Sequence, residues 1–207
     1  MHRVWRWVAT VGTVSPDDRH GFRSLGEGSL LGFPPGDVLG EWWIAIGART
    51  LIAPEVTLSV GLPGEALDRS DPPVLTIGDR CSIGRGTAIV ARRRVEIGDD
   101  VAIAPNCYIT DLNHAFSDVG RPIKDQYPTH DPVRIGSGTW LAAGVTVLPG
   151  AEIGRNVVVA AGAVVRGAVP DHTVVAGSPA RVVRRHDGDR WDPPLRAPLE
   201  DSPPDWP

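Results

Sequence analysis

Only two cysteines, Cys81 and Cys107, occur in 207 residues, and no C-x-x-C spacing exists. That excludes a disulfide framework and favours a cytoplasmic location. No run of eighteen apolar residues is present, so no membrane-crossing helix is expected. The formal charge is −4, from 21 Lys plus Arg against 25 Asp plus Glu. A balance that mildly acidic excludes a general nucleic-acid binder. Phe (3) and Tyr (2) are scarce, whereas Gly (24) and Pro (20) are abundant. Such a composition suits tightly turned β structure, because Gly and Pro punctuate turns. The length predicts one domain with appendages, large enough to bury a core.

Near the start, Arg3 and Arg6 precede an apolar stretch, Trp7–Val14. It is short and no A-x-A site follows, so it reads as a segment covering one end of the core rather than an export signal.

What the chain does contain is a rhythm. Aliphatic residues recur every six positions: Ile46, Ile52, Leu58; Ile77, Ile83, Ile89; Ile97, Ile103, Ile109; and Ile135 through Leu141, Val147, Ile153 and Val159 to Val165. Gly, Ala or Ser usually follows the aliphatic, and a small or β-branched residue such as Cys81, Val101, Cys107 or Val145 sits four places on. A step of six fits neither 3.6 nor 3.5 residues per turn. It is a multiple of two, so the aliphatics share one face of an extended chain. It is also the period of hexapeptide β-helices. An antiparallel domain of short strands would break its alternation at irregular turns instead of holding a fixed step. The fold class is therefore all-β, a parallel β-helix with three short strands per triangular coil.

The rhythm sets the expected domain organisation. Residues 1–43 hold weaker rungs, Leu25 and Leu31, and read as an N-terminal cap. Residues 44–185 form the β-helix, with loops near 60–74 and 115–132 where the register breaks. Residues 186–207 read as a mobile or surface-bound tail, dense in Pro and charge. Long excursions from a rigid solenoid are where function concentrates. His114 stands directly before the second one. Imidazole, with a free pKa near 6.5, can take a proton at neutral pH, and His114 follows polar Asp111 and Asn113 where the core pattern wants apolar residues. His130 and His172 are weaker candidates; His2, His20 and His186 lie outside the strong repeat. No Ser-His-Asp or exposed Cys-His pairing is apparent.

The stretch IGDDVAIAPNCYITDLNH (97–114) and the segment 133–183, with its tryptophan, Pro-Gly turn, A-G-x-V-V turn and G-S-P-A-R close, resemble the hexapeptide acyltransferases. They resemble in particular the maltose, galactoside and polysaccharide O-acetyltransferases. The likeness covers about residues 75–184. It implies a left-handed coil, a homotrimer, acetyl-CoA as co-substrate and a small-molecule acceptor, with transfer in a ternary complex. It implies His114 as catalytic base, with Asp111, Asn113 and Trp140 near the acceptor. The backbone N–H of Ala143 would face the thioester carbonyl, Ala161 the pantetheine arm, and Arg166, Arg181 and Arg184 the phosphates. Trp140 is equally suited to covering a coil edge, and Arg184–Arg185 to forming a solvated patch.

Two departures stand out. Arg166-Gly167 replaces a Thr-Lys common in the family. The coil before His114 carries Arg92-Arg93-Arg94 instead of an acceptor-binding asparagine. Those arginines either meet an anionic group or decorate an outer face. Two other functions use such a solenoid. One is a zinc carbonic anhydrase, whose H-x-x-x-x-H ligand pair is absent; no metal site is expected. The other is a non-catalytic scaffold, against which His114 and the G-S-P-A-R segment argue.

Overall fold

The computed structural model describes residues 12–13, 21–61 and 68–195. Part of the expected cap (1–11 and 14–20, with His2, His20 and all of the Trp7–Val14 stretch but residues 12–13), part of the first loop (62–67) and the end of the tail (196–207) lie outside the described residues. The chain winds as a triangular prism whose three faces are sheets of short strands. Face I holds Ile44–Ile46, Leu75–Ile77, Val95–Ile97 and Val133–Ile135. Face II holds Leu51–Ile52, Ser82–Ile83, Ala102–Ile103 and Trp140–Leu141. Face III holds Thr57–Val60, Ala88–Ala91, Tyr108–Thr110 and Thr146–Val147.

Each face is parallel and in register with the six-residue step. On face I, Ile46, Ile77, Ile97, Ile135 and Ile153 stack. Face II stacks Ile52, Ile83, Ile103, Leu141 and Val159. Leu58, Ile89, Ile109, Val147 and Val165 line face III. These side chains are almost entirely buried and form one core. Removing their apolar surface from water is the main driving force for the fold.

The small residues four places on fill the prism beside them. Buried Thr50 donates to the Gly78 carbonyl (2.8 Å) and accepts from the Cys81 amide (3.0 Å), so its hydroxyl ties two coils together. Thr139 does the same between Gly154 and Val157. Cys81 and Cys107 are free and buried, and burial pushes both thiols up from their usual range. The residue after the aliphatic must be small because stacked corners nearly touch. A Cβ on Gly78 would lie 2.6 Å from the Gly98 carbonyl carbon.

The β-helix begins earlier than the expected boundary at residue 44. Ser24–Leu25 pairs with the Ile44–Ile46 strand, placing Leu25 on Ile46, and Leu31 stacks on Ile52. The weak rungs are therefore a true coil. At the other end, Arg181–His186 runs antiparallel to Thr173–Ala176 and carries Trp191–Asp192 on its far side. Residues 186–192 are thus partly a sheet edge, which the expected tail boundary missed. Among the described residues no helix is long and apolar enough to cross a membrane.

The three edges of the prism differ. Both excursions leave from the edge between faces III and I, as does the Arg92–Arg94 turn. The edge between faces II and III keeps tight turns at Ala142–Gly144 and Ala160–Gly162, with Gly144 and Gly162 at positive φ (70° and 68°). Nothing lies within 4 Å of a Cβ built at Gly144, so conformation rather than space demands glycine there.

Candidate active site

His114 follows the last residues of face III at the III/I edge. Leu112–Asn113 leaves the prism as one arm of a hairpin, paired antiparallel with Thr129–His130. The Asn113 carboxamide accepts the His114 amide at 3.0 Å. The imidazole is exposed and lines a cleft of about 490 Å³ shared with Tyr108, Asn113, Lys124, Gln126 and Pro149. Buried Gln126 shapes the returning excursion. Its amide nitrogen donates to the carbonyls of Asp118 and Arg121 (2.9 and 3.1 Å), and its oxygen accepts from the Asp118 amide (3.2 Å). Lys124, ion-paired with Asp125 at 2.5 Å, brings a positive charge to the same cleft. Sequence reasoning missed Lys124 and Gln126. They sit in the aperiodic excursion, where no rhythm tells which side chains turn inward.

Asp111, expected near the acceptor, is fully buried and does something else. One carboxylate oxygen accepts the Arg92 amide (2.8 Å); the other accepts those of Arg93 and Arg94 (both 2.7 Å). The side chain is occupied in holding the turn one coil below, which removes it from the acceptor-binding set.

Ala143 and Ala161 occupy the II/III edge, on exposed turns one coil apart. The Gly162 amide donates to the Ala143 carbonyl at 2.9 Å. Among the described residues the amides of Ala143 and Ala161 make no hydrogen bond, so both are available as donors. Arg181 pairs across from Ala176 at the upper end of the same edge, and the Ala180 amide donates to Val164 (2.8 Å). Ala143, Ala161 and Arg181 thus form a line along one edge. Trp140, half exposed (49%), projects from face II on the coil that turns at Ala143.

The other two arginines do not join that line. Arg166 is exposed on the III/I edge, and Arg184 lies across from Val174, donating to the Pro194 carbonyl at 2.9 Å. Most importantly, His114 and Ala143 stand on different edges, separated by the width of face III. Within one chain the expected base and oxyanion donor do not meet.

The remaining described histidines have other surroundings. His130 pairs with Leu112 in the hairpin. His172 holds a corner at φ 55° on the I/II edge. His186 accepts the Gly188 amide at Nδ1 (3.1 Å) and meets Trp191 edge-on at 5.2 Å. Among the described residues no cluster of three or more His, Cys, Asp or Glu is placed to hold a metal ion.

Comparison with known proteins gives a consistent picture. The bacterial transferase hexapeptide family (six repeats) matches residues 132–167, and the hexapeptide repeat of succinyl-transferase matches 74–111. A probable acetyltransferase of Mycobacterium tuberculosis is 46% identical over 110 residues, covering 53% of this chain and only 37% of that relative. A putative lipopolysaccharide biosynthesis O-acetyltransferase of Escherichia coli is 36% identical over 145 residues, covering 66% of this chain and 72% of its own. The solved structure of a galactoside acetyltransferase in complex with coenzyme A superposes with a TM-score of 0.52 at 28% identity, covering 69% of this chain and 64% of the other.

Proposed function

We propose, from the premise that this chain belongs to the hexapeptide-repeat acyltransferase family, that it transfers an acetyl group from acetyl-CoA to a hydroxyl or amine of a sugar or other small acceptor. His114 is the general base, the coil is left-handed, and transfer takes place in a ternary complex. The observation that carries the reading is the exposed imidazole in a walled cleft of about 490 Å³, on the edge from which the excursion leaves.

Acetyl-CoA supplies an acyl carbonyl activated as a thioester. The residues of this chain suit its two ends. The paired outward amides of Ala143 and Ala161 suit the carbonyl and the amide-bearing arm, and Arg181 at the head of the same edge suits phosphate oxygens. His114 takes the proton of the acceptor hydroxyl as its oxygen attacks the carbonyl carbon. The Ala143 amide donates to the carbonyl oxygen as charge builds there. His114 then returns the proton to the departing sulfur, so that acetylated acceptor and coenzyme A thiol leave. Asn113 and Lys124 line the acceptor's side of the cleft.

Because the base and the line of donors lie on different edges, the complete site needs the II/III edge of one copy beside the III/I edge of another. A ring of three prisms supplies that, and we take the assembly to be a homotrimer. A single convex prism offers no deep groove for a long thin ligand, whereas the seam between two does.

Release of coenzyme A thiol on mixing the protein with acetyl-CoA and a panel of sugars and amines tests the reading. His114→Ala should lower kcat by roughly 10²–10⁴-fold, the usual scale of general-base catalysis, and still bind coenzyme A by calorimetry. Turnover at the parent rate in that variant would remove His114 from its role.

A further inference from the structure

We propose that a second cleft on the same edge, one coil from His114 and built on the Arg92–Arg94 turn, binds an anionic group, phosphate or carboxylate, carried by the acceptor. This deepens the proposed function and rests on the His114 cleft being the acceptor's site.

The second cleft is also about 490 Å³. It is lined by the three arginines together with Pro72, Pro73 and Trp43. It is a built site. Both Asp111 oxygens fix the backbone of the turn (2.7–2.8 Å). The Trp43 indole is held by its N–H donating to the Asp68 carbonyl at 2.9 Å.

The three guanidiniums have different commitments. Arg94 is held by Glu96 at 2.5 Å, and Glu96 is shared with Arg134 at 2.9 Å. Burial alone would raise the Glu96 pKa, but the hydrogen bonds from Arg94 and Arg134 outweigh it and hold the carboxyl below its usual range. Glu96 therefore stays an anion that faces Arg94 and Arg134. Arg92 is buried, donates to the Tyr127 hydroxyl at 2.6 Å and lies 4.9 Å from the centre of that ring. Arg93 is exposed, and among the described residues its guanidinium makes no hydrogen bond or ion pair. A rigid turn thus contributes one uncommitted, always-charged fork to the lining of a cleft, which suits a two-oxygen anion. Asp71 and Glu96 both line the same cleft, and an incoming anion must avoid both carboxylates.

Tyr127 links the two clefts: it is bonded to Arg92 and sits between Gln126 and Pro128, both of which line the His114 cleft. The Arg92–Arg94 turn and His114 lie on adjacent coils of the same edge. An acceptor that serves both clefts must reach past Tyr127, with its hydroxyl at His114 and its charged substituent at Arg93.

The test compares glucose, glucose 1-phosphate and glucuronate as acceptors for the parent protein, Arg93→Gln and Arg93→Lys. The parent should favour a charged acceptor over glucose in kcat/KM, and whichever of the two is better distinguishes phosphate from carboxylate. Arg93→Gln should collapse that preference by roughly tenfold or more, the worth of a charge-assisted hydrogen bond, and Arg93→Lys should restore part of it. No preference in the parent, or an equal loss for charged and neutral acceptors, overturns the proposal. Should none of the three be acetylated, calorimetry with inorganic phosphate decides. Binding by the parent that is weakened in Arg93→Gln supports the anion site; no binding, or equal binding, overturns it. Coenzyme A binding, measured on the same samples, tests the acyltransfer reading separately.

Discussion

Asp111 occupies a position where the repeat calls for an apolar side chain, and an acidic group three residues before the proposed base reads as a ligand-binding residue. Its actual partners are three backbone amides some 17–19 residues earlier in the chain. No local spacing reveals them, because the coil below is brought there only by stacking. The place of His114 beside the excursion was legible because it sits at the break itself. Asp111→Ala leaves three amides without their acceptor, one buried and two part-buried. Each unsatisfied donor costs about 1–3 kcal/mol, so a loss of roughly 3 kcal/mol or more is expected from the midpoint of urea unfolding. Asp111→Asn, which keeps one acceptor oxygen, should lose less.

At the level of the element, the strands are too short to be stable alone. Each is held by the matching strand in the coils above and below. Leu141 is fully buried between Ile103 and Val159. Leu141→Ala removes that contact and leaves a cavity in a close-packed prism, at a cost of about 2–5 kcal/mol. Leu51 on the same face points outward at 39% exposure, and Leu51→Ala should shift the urea midpoint far less. Equal effects of the two would contradict the inward-outward assignment. The same alternation made the central coils legible from sequence. It weakened for the first coil, where Leu25 and Leu31 keep the step but Val38, which stacks on Leu58, comes seven residues after Leu31. It failed at residues 186–192, where the pairing is antiparallel and carries no six-residue signature.

Across the whole molecule, ion pairs bind the corners of neighbouring coils from outside. Hydrogen bonding to Arg80 lowers the Asp100 pKa, and the Arg155 backbone amide followed by its side chain lowers that of Asp171. Glu96 is lowered by Arg94 and Arg134 against its own burial. A carboxyl lowered on folding binds its proton more weakly in the native state. The stability it adds is complete above the unfolded values, 3.8 for Asp and 4.5 for Glu, and is lost as the pH falls through the lower native values. Thermal melts should therefore change little on account of these groups from about pH 5.5 to 8 and drop below about pH 4. Asp100→Asn should reduce that acid sensitivity; a melt that rises on acidification would contradict the assignment.

The sequence by itself determined the coil, because burial in a narrow prism imposes a periodic demand that each stretch of chain must meet locally. It also marked His114, since a break in a strict period is itself a local signal. Tertiary structure alone decided which residues share an edge. That placed Asp111 under the arginine turn, set Arg93 at a cleft, and put His114 and Ala143 on different edges of one chain. Those relations are set between coils, by residues about one coil or more apart in the chain, and the six-residue step is the same whichever edge a side chain occupies.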